Sequence, residues 1–483
     1  MSLPAPKARR SPSLVPSPDS PLVSVRLLFH VGSVDDPPGK EGLAALTGAL
    51  LAEGGSRGLT YKELLDSLYP MAASIDVHVD KDVTVLSGTV HRDNLDGYYD
   101  LLRQVVLTPR FDPTDFHRLQ VDHVHHLENV LRAADDENLG KEALATMLYE
   151  EHPYGRPTIG TVQGIRSIRL DDVKSFHAAR FTRDQLDLGI AGGYPAGFVE
   201  RVQADLDELP SCPLPTESSF RLRSRPGIEV LLVTKPARAW AISIGFPIDV
   251  TRADDDYYPL LLANSYLGEH RTFHGVLMGK MRSDRGFNYG DYSYIESFLQ
   301  EGGSPFPLPN IPRRTQFFSI WIRPIEARYA HFAIRQSLRE VERLQREGMT
   351  AASFAATREF LLHYSRLWTQ TASRRLGYEM DGRFYGRASL VDELEKRLPR
   401  MTVEQVNAAA RRHLRWRDAS VAVVADPEGA ASFAEALRTD APSPVSYDTG
   451  TRPEVLAEDR EISAWPLEVS RVRMVRAEEL FER

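Results

Sequence analysis

The feature that most constrains this chain is an internal repeat. Val23, Val25, Leu27, Phe29 and Val31 alternate with Ser24, Arg26, Leu28 and His30, a mostly period-2 strand pattern that Gly32-Ser33 ends. An apolar helical stretch, 42–52, follows. Trp240, Ile242, Ile244 and Phe246 repeat the alternation, and 257–267 repeats the apolar helix. Pairing Val31 with Phe246, and Gly42 with Tyr257, gives an offset of 215 residues in both cases. A later pair, 170–176 against 402–409, aligns Val173 with Val406 at an offset of 233. The difference of 18 implies an insertion in the second half, and the Pro/Gly-rich stretch 300–314 is the candidate.

The repeat predicts two homologous α+β domains of about 200 residues each. The expected boundaries are a disordered Pro/Ser-rich lead-in at 1–21, a first domain at 22–208 and a linker at 209–225. A second domain at 226–441 follows, then a C-terminal extension at 442–483 that packs back on the body. Within the first half, 61–68 reads as a helix, 75–79 and 83–90 as strands around the polar turn Asp80-Lys81-Asp82, and 94–149 as mainly helical.

At 483 residues the chain is too long for one core. A net charge of −8 and the absence of a Lys/Arg block argue against a nucleic-acid partner. Cys212 is the single cysteine, which excludes intramolecular disulfides and Cys-rich metal sites. No run approaches the roughly 18–20 apolar residues of a membrane span. The N-terminus lacks an apolar signal region, so the sequence as it stands reads as cytoplasmic, or periplasmic if a signal has been removed.

Three segments carry a family resemblance. Gly32-Ser33 precedes a helix that begins Gly42-Leu43-Ala44. The string His152-Pro153-Tyr154-Gly155-Arg156-Pro157-Thr158-Ile159-Gly160-Thr161 is followed in the second half by Met281-Arg282-Ser283-Asp284-Arg285-Gly286-Phe287-Asn288-Tyr289-Gly290-Asp291-Tyr292-Ser293. In that order they resemble the pitrilysin-type M16 peptidases, particularly two-domain M16B subunits and mitochondrial processing peptidase. The resemblance covers about residues 22 to 440. It implies two domains of the LuxS/mitochondrial-processing-peptidase-like type, each a sheet with helices on one face, arranged as a clamshell around a chamber.

Active members of that family bind zinc through H-x-x-E-H on the first helix. Two histidines four apart share a helical face, and the glutamate polarises the metal-bound water. Here those positions read Ala45, Gly48 and Ala49, none with a donor atom. The family's third ligand is a later glutamate, for which Glu137 and Glu142 lie in the right region; a lone carboxylate there binds zinc too weakly to matter. His123, His125 and His126, with Asp122 and Glu128 nearby, form the one alternative cluster, read as an exposed polar helix. His152 belongs to the turn string and reads as structural. No G-x-S-x-G context supports a serine nucleophile.

Arg282 and Tyr289 match an Arg/Tyr pair that holds the peptide substrate in the family. Gly286 is expected to end the helix carrying Arg282, and Tyr289 to lie on the strand that follows. The combination resembles the non-catalytic member of heterodimeric M16B peptidases. The resemblance therefore implies a subunit with no catalytic residue and no cofactor of its own. It would bind and position an extended peptide and pair with a zinc-bearing homologue that cuts it. The alternatives are a purely structural or assembly subunit, or a self-sufficient peptidase with relocated ligands.

Overall fold

The computed structural model describes residues 11–212, 222, 226–300, 302–448 and 450–483. In the first half, β1 (Ser13–Pro16), β2 (Leu22–Phe29), β3 (Asp76–Val79), β4 (Thr84–His91) and β5 (Leu186–Gly192) form one sheet in the order β1-β5-β2-β4-β3. In the second, β6 (Ile228–Thr234), β7 (Trp240–Ile248), β8 (Asp291–Tyr294), β9 (Gln316–Ile325), β10 (Ser420–Ala425) and β11 (Val469–Arg476) form another, in the order β11-β6-β10-β7-β9-β8. Leaving out β11, the two orders are the same, with one parallel pair and three antiparallel pairs in each. The repeat in the sequence is a repeat of topology.

The matching elements keep the spacing read from the sequence. The helix Leu43–Glu53 corresponds to Tyr257–Gly268, and Leu170–Arg180 to Val403–His413. Strand β1 corresponds to β6, which corrects the expectation of a disordered lead-in over 1–21. Only Leu14 and Val15 are apolar in β1, and Pro12 and Pro16 bracket them. Such a strand has no helical or alternating signal, yet at a sheet edge proline is tolerated because no ladder donor is needed there. Residues 1–10 lie outside the described residues, as do 213–221 and 223–225 of the expected linker.

Each sheet carries its own helices on one face. Val23, Val25, Leu27 and Phe29 of β2 enter a core with Leu43, Leu46 and Leu50, while Ile242, Ile244 and Phe246 of β7 enter one with Tyr257 and Leu260. The opposite face of each sheet receives a helix from the other half. Helix Asp136–Tyr149 lies on β7 and β10, burying Leu144 against Ala241 and Val424. Helix Ala372–Phe384 lies on β5 and β1, burying Leu376 and Met380 against Leu28 and Ala191. The contact is close: a Cβ at Gly189 would come within 2.5 Å of Met380 Sδ. Each fully buried Leu or Phe in these layers contributes roughly 1.5–3 kcal/mol, so the exchange makes each half's stability depend on the other.

The insertion falls in one hairpin. Strands β3 and β4 are joined by four residues, 80–83, whereas β8 and β9 are joined by 295–315. That long connection runs along helix Ala372–Phe384: the Pro307 carbonyl accepts from Arg374 and Tyr378, and the Asp381 carboxylate accepts from the Asn310 backbone N–H at 2.9 and 3.1 Å. Its end reaches the first half, where Arg313 and Arg314 pair with Asp80 and Asp82. The C-terminal extension adds β11 beside β6, and its last residues return to the first half, where Val162 and Gln163 donate to the Phe481 and Glu482 carbonyls.

Candidate functional site

The helix Leu43–Glu53 starts where Asp36 accepts hydrogen bonds from the Gly42 and Ala44 N–H groups, both at 2.7 Å. Burial pushes the Asp36 carboxyl up to about 7, against the pull of those two bonds. The helix packs on edge strand β3. Gly48 makes that possible: a Cβ there would meet Val79 Cγ2 at 2.4 Å. Ala45 and Ala49 are partly buried on the same helix. Its capping and packing are thus complete without any ligating side chain at the three positions.

Glu137 and Glu142 stand on helix Asp136–Tyr149, which packs against the second sheet rather than against helix Leu43–Glu53. Glu137 pairs with Arg323 at 3.1 Å, and the charge of Glu142 faces buried Lys81. The neighbour of helix Leu43–Glu53 is instead helix Pro113–His125. That helix passes into a wider π turn over His126–Leu131. His123 is held neutral by burial, down to about 4, with His126 adding repulsion, whereas His125 and His126 are exposed. Glu128 is taken by Arg166 at 2.9 Å and Asp122 lies 3.6 Å from Arg118. Among the described residues no group of three His, Cys, Asp or Glu side chains converges as a metal site would require. His152 accepts from the Tyr154 N–H and packs on Tyr149, a turn role.

Arg282 and Tyr289 come together. The short helix Val276–Met278 passes directly into a π turn, Gly279–Ser283, that carries Arg282; such turns recur at functional sites. Gly286, at φ +69°, donates its N–H to the Arg282 carbonyl and ends the turn, as the sequence indicated. Tyr289 lies in the loop two residues before β8, not on the strand. The Asn288 side chain causes this: its amide donates to Asp291 and to the Arg323 carbonyl and bends the chain first. The Arg282 guanidinium lies 5.9 Å from the Tyr289 ring and 4.8 Å from the Phe273 ring. Both rings are exposed, Tyr289 at 81% and Phe273 at 64%. The partly buried Arg282 side chain makes no hydrogen bond or ion pair among the described residues and lies against two aromatic surfaces.

Sequence reasoning missed what holds this turn. Arg285 is fully buried and bonds Asp459 at 2.9 Å, Glu458 at 2.9 Å and the Lys280 carbonyl at 2.8 Å. Glu458 and Asp459 belong to helix Pro453–Ser463 of the C-terminal extension. Arg285 stood in the motif three residues from Arg282, but its carboxylate partners lie more than 170 residues away and carry no local signal. Phe273 had none either. A cleft of about 1070 Å³ opens between the first sheet and the insertion, bounded by Arg26, His78 and Thr89 on one side and by Pro309 and Asn310 on the other.

Two family models match this chain: Insulinase (Peptidase family M16) over residues 14–162 and Peptidase M16 inactive domain over residues 167–361. The chain belongs to peptidase family M16. An uncharacterized zinc protease of Mycobacterium bovis is 24% identical to this M16 chain over 389 residues, covering 78% of it and 82% of the relative. A non-peptidase homolog of Helicobacter pylori is 22% identical over 417 residues, covering 84% and 89%. Among solved structures, a peptidase M16 inactive domain from Pseudomonas fluorescens superposes with a TM-score of 0.75 at 22% identity, covering 86% of this chain and 95% of that one. A chain of Complex III2 from Candida albicans gives 0.67 at 14% identity, covering 85% and 92%.

The family implies zinc, and the residues present do not fit it. No H-x-x-E-H occurs anywhere in the sequence, Ala45, Gly48 and Ala49 offer no lone pair from a side chain, and Val79 occupies the space beside Gly48. No helix among the described residues is long and apolar enough to cross a membrane.

Proposed function

We propose that this chain is a non-catalytic M16 subunit. It binds and positions an extended peptide through Arg282, Tyr289 and Phe273, and pairs with a zinc-bearing homologue that performs the hydrolysis. The observation that carries the reading is the contrast between two sites in one chain. The helix Leu43–Glu53 packs Gly48 against Val79 and offers no ligating side chain at Ala45, Gly48 or Ala49, whereas the Arg282 guanidinium lies between two exposed rings with no side-chain partner among the described residues. A guanidinium and a phenol side by side can donate to peptide carbonyls and balance charge developing on them in a partner's active site. The flanking rings supply apolar area for the peptide's side chains.

An assembly role without peptide contact leaves that arrangement without use, although the likeness of fold to a Complex III2 chain is compatible with it. The test is direct. The isolated chain should carry no stoichiometric zinc and should not cleave unstructured peptides. Chelator-sensitive cleavage by the isolated chain overturns the reading. Retention of a zinc-bearing M16 homologue in a pull-down, with peptidase activity in the retained fraction, supports it.

A further inference from the structure

A basic groove lies on the helical side of the second half. Residues 396–412 hold five Lys or Arg and one acidic residue, Glu404, in a chain whose net charge is −8. The concentration escapes a sequence scan because it is spread over two helices, Leu390–Arg397 and Val403–His413, and the turn between them. Folding brings the two helices to either side of a groove of about 560 Å³. Lys396 and Arg400 stand on one wall and Arg412 on the other, with Tyr258, Pro259 and Met401 among the apolar lining. None of these residues belongs to the Arg282 patch.

Two of the chain's own carboxylates already use part of this surface. Asp255 accepts from Arg387 at 3.1 Å and pairs with Arg397 at 3.0 Å, and Asp256 bridges Arg412 and His413. Arg397 also lies over the Tyr258 ring at 4.3 Å. These pairs show that side-chain carboxylates fit against the wall. They leave Lys396 and Arg400, both exposed, without an ion pair or hydrogen bond among the described residues. An inorganic anion would have no use for the apolar floor. A peptide carrying both carboxylates and apolar side chains uses the cations and the floor together.

We propose that this groove docks an acidic, partly apolar segment of a partner protein, with carboxylates on Lys396, Arg400 and Arg412 and apolar side chains on Tyr258, Pro259 and Met401. The rest of the surface is net negative and repels such a segment, so attachment is local and salt-sensitive.

The test uses the full chain and a fluorescein-labelled peptide of alternating Glu and Leu, followed by anisotropy in low and high salt. Binding should weaken steeply with salt, and the double variant Lys396→Glu/Arg400→Glu should weaken it about tenfold or more. Lys174→Glu, at an exposed cation of the first half outside both proposed sites, should leave it unchanged, which separates this groove from a general effect of charge. Both substituted side chains are exposed and unpaired, and an unaltered thermal melt confirms that the fold is kept. Equal binding by the double variant, or equal binding of a Lys/Leu control peptide, overturns the proposal. So does tight binding of tripolyphosphate with none of the Glu/Leu peptide, which marks a phosphate site instead.

Discussion

Arg313 grips Asp80 through two hydrogen bonds, Nη2 to Oδ1 at 2.7 Å and Nε to Oδ2 at 2.9 Å. The guanidinium comes from the long β8–β9 connection and the carboxylate from the four-residue β3–β4 turn, so equivalent hairpins of the repeat hold each other across the two halves. Both side chains are buried. Burial, the largest single influence, would raise the Asp80 carboxyl, but the Arg313 charge and hydrogen bonds, joined by His78 and Lys81, together hold the group below the usual carboxylate range.

Removing one partner of this pair leaves the other charge buried and unmatched. Arg313→Ala should therefore cost about 3–5 kcal/mol in urea unfolding, and Asp80→Asn a comparable amount. In a double-mutant cycle the two losses should be strongly non-additive. A cost under about 1 kcal/mol for either, or simple additivity, contradicts the latch.

Gly48→Ala improves helix propensity by up to about 1 kcal/mol, yet should destabilise the protein. Its Cβ collides with Val79 Cγ2, and overpacking of this kind costs about 1–3 kcal/mol. Adding Val79→Ala should recover part of the loss. If Gly48→Ala raises the melting temperature, the helix is not packed shut against β3 as described.

Two buried groups should give opposite pH slopes. Burial, the sole cause, lowers His177 to about 4, between Phe111 and Phe181. From pH 6.5 down to 4 the unfolded chain takes up a proton there that the folded chain refuses, so stability falls with acidification. His177→Phe should flatten that decline. Asp36, raised to about 7 by burial, keeps its proton in the folded state between pH 4 and 7. Its contribution is largest at low pH and is lost as pH rises through 7, and Asp36→Asn should remove that trend. Melting temperatures across pH 4.5–7.5 for the three proteins check both signs; parallel curves refute both assignments.

Arg285→Ala should loosen the π turn that carries Arg282, because it removes the buried cation between Glu458 and Asp459 and leaves them only Lys280, Arg339 and the Tyr447 hydroxyl. The expected cost is about 3 kcal/mol or more, with faster amide exchange confined first to 276–290 and to helix Pro453–Ser463. Unchanged exchange in those segments means that the C-terminal extension does not brace the turn.

The sequence made the repeat legible because a strand alternates with period 2 and an apolar helix does not, and the same order occurs twice. It also located the insertion, since Pro and Gly interrupt both periods over 300–314. It hid β1, whose two apolar residues sit between prolines. It placed Tyr289 on β8, because nothing local announces that the Asn288 amide bonds Asp291 and Arg323 and bends the chain first. The exchanged helices were likewise illegible: Asp136–Tyr149 reads as one more helix of its own half, and its contact with β7 and β10 is set by chain path, not by pattern. The Arg282–Tyr289 contact was foreshadowed by the motif, whereas Phe273 and the Arg285 anchors depend on contacts distant in sequence.

The most direct test of the central claim is peptide turnover by this chain co-purified with its zinc-bearing homologue, compared between wild type and Arg282→Ala. Loss of one transition-state donor is worth roughly a hundredfold to a thousandfold in turnover when it faces the reacting oxygen directly. The account predicts a fall of at least about tenfold with the complex intact by size-exclusion chromatography and zinc content unchanged. Wild-type turnover in the Arg282→Ala pair contradicts it.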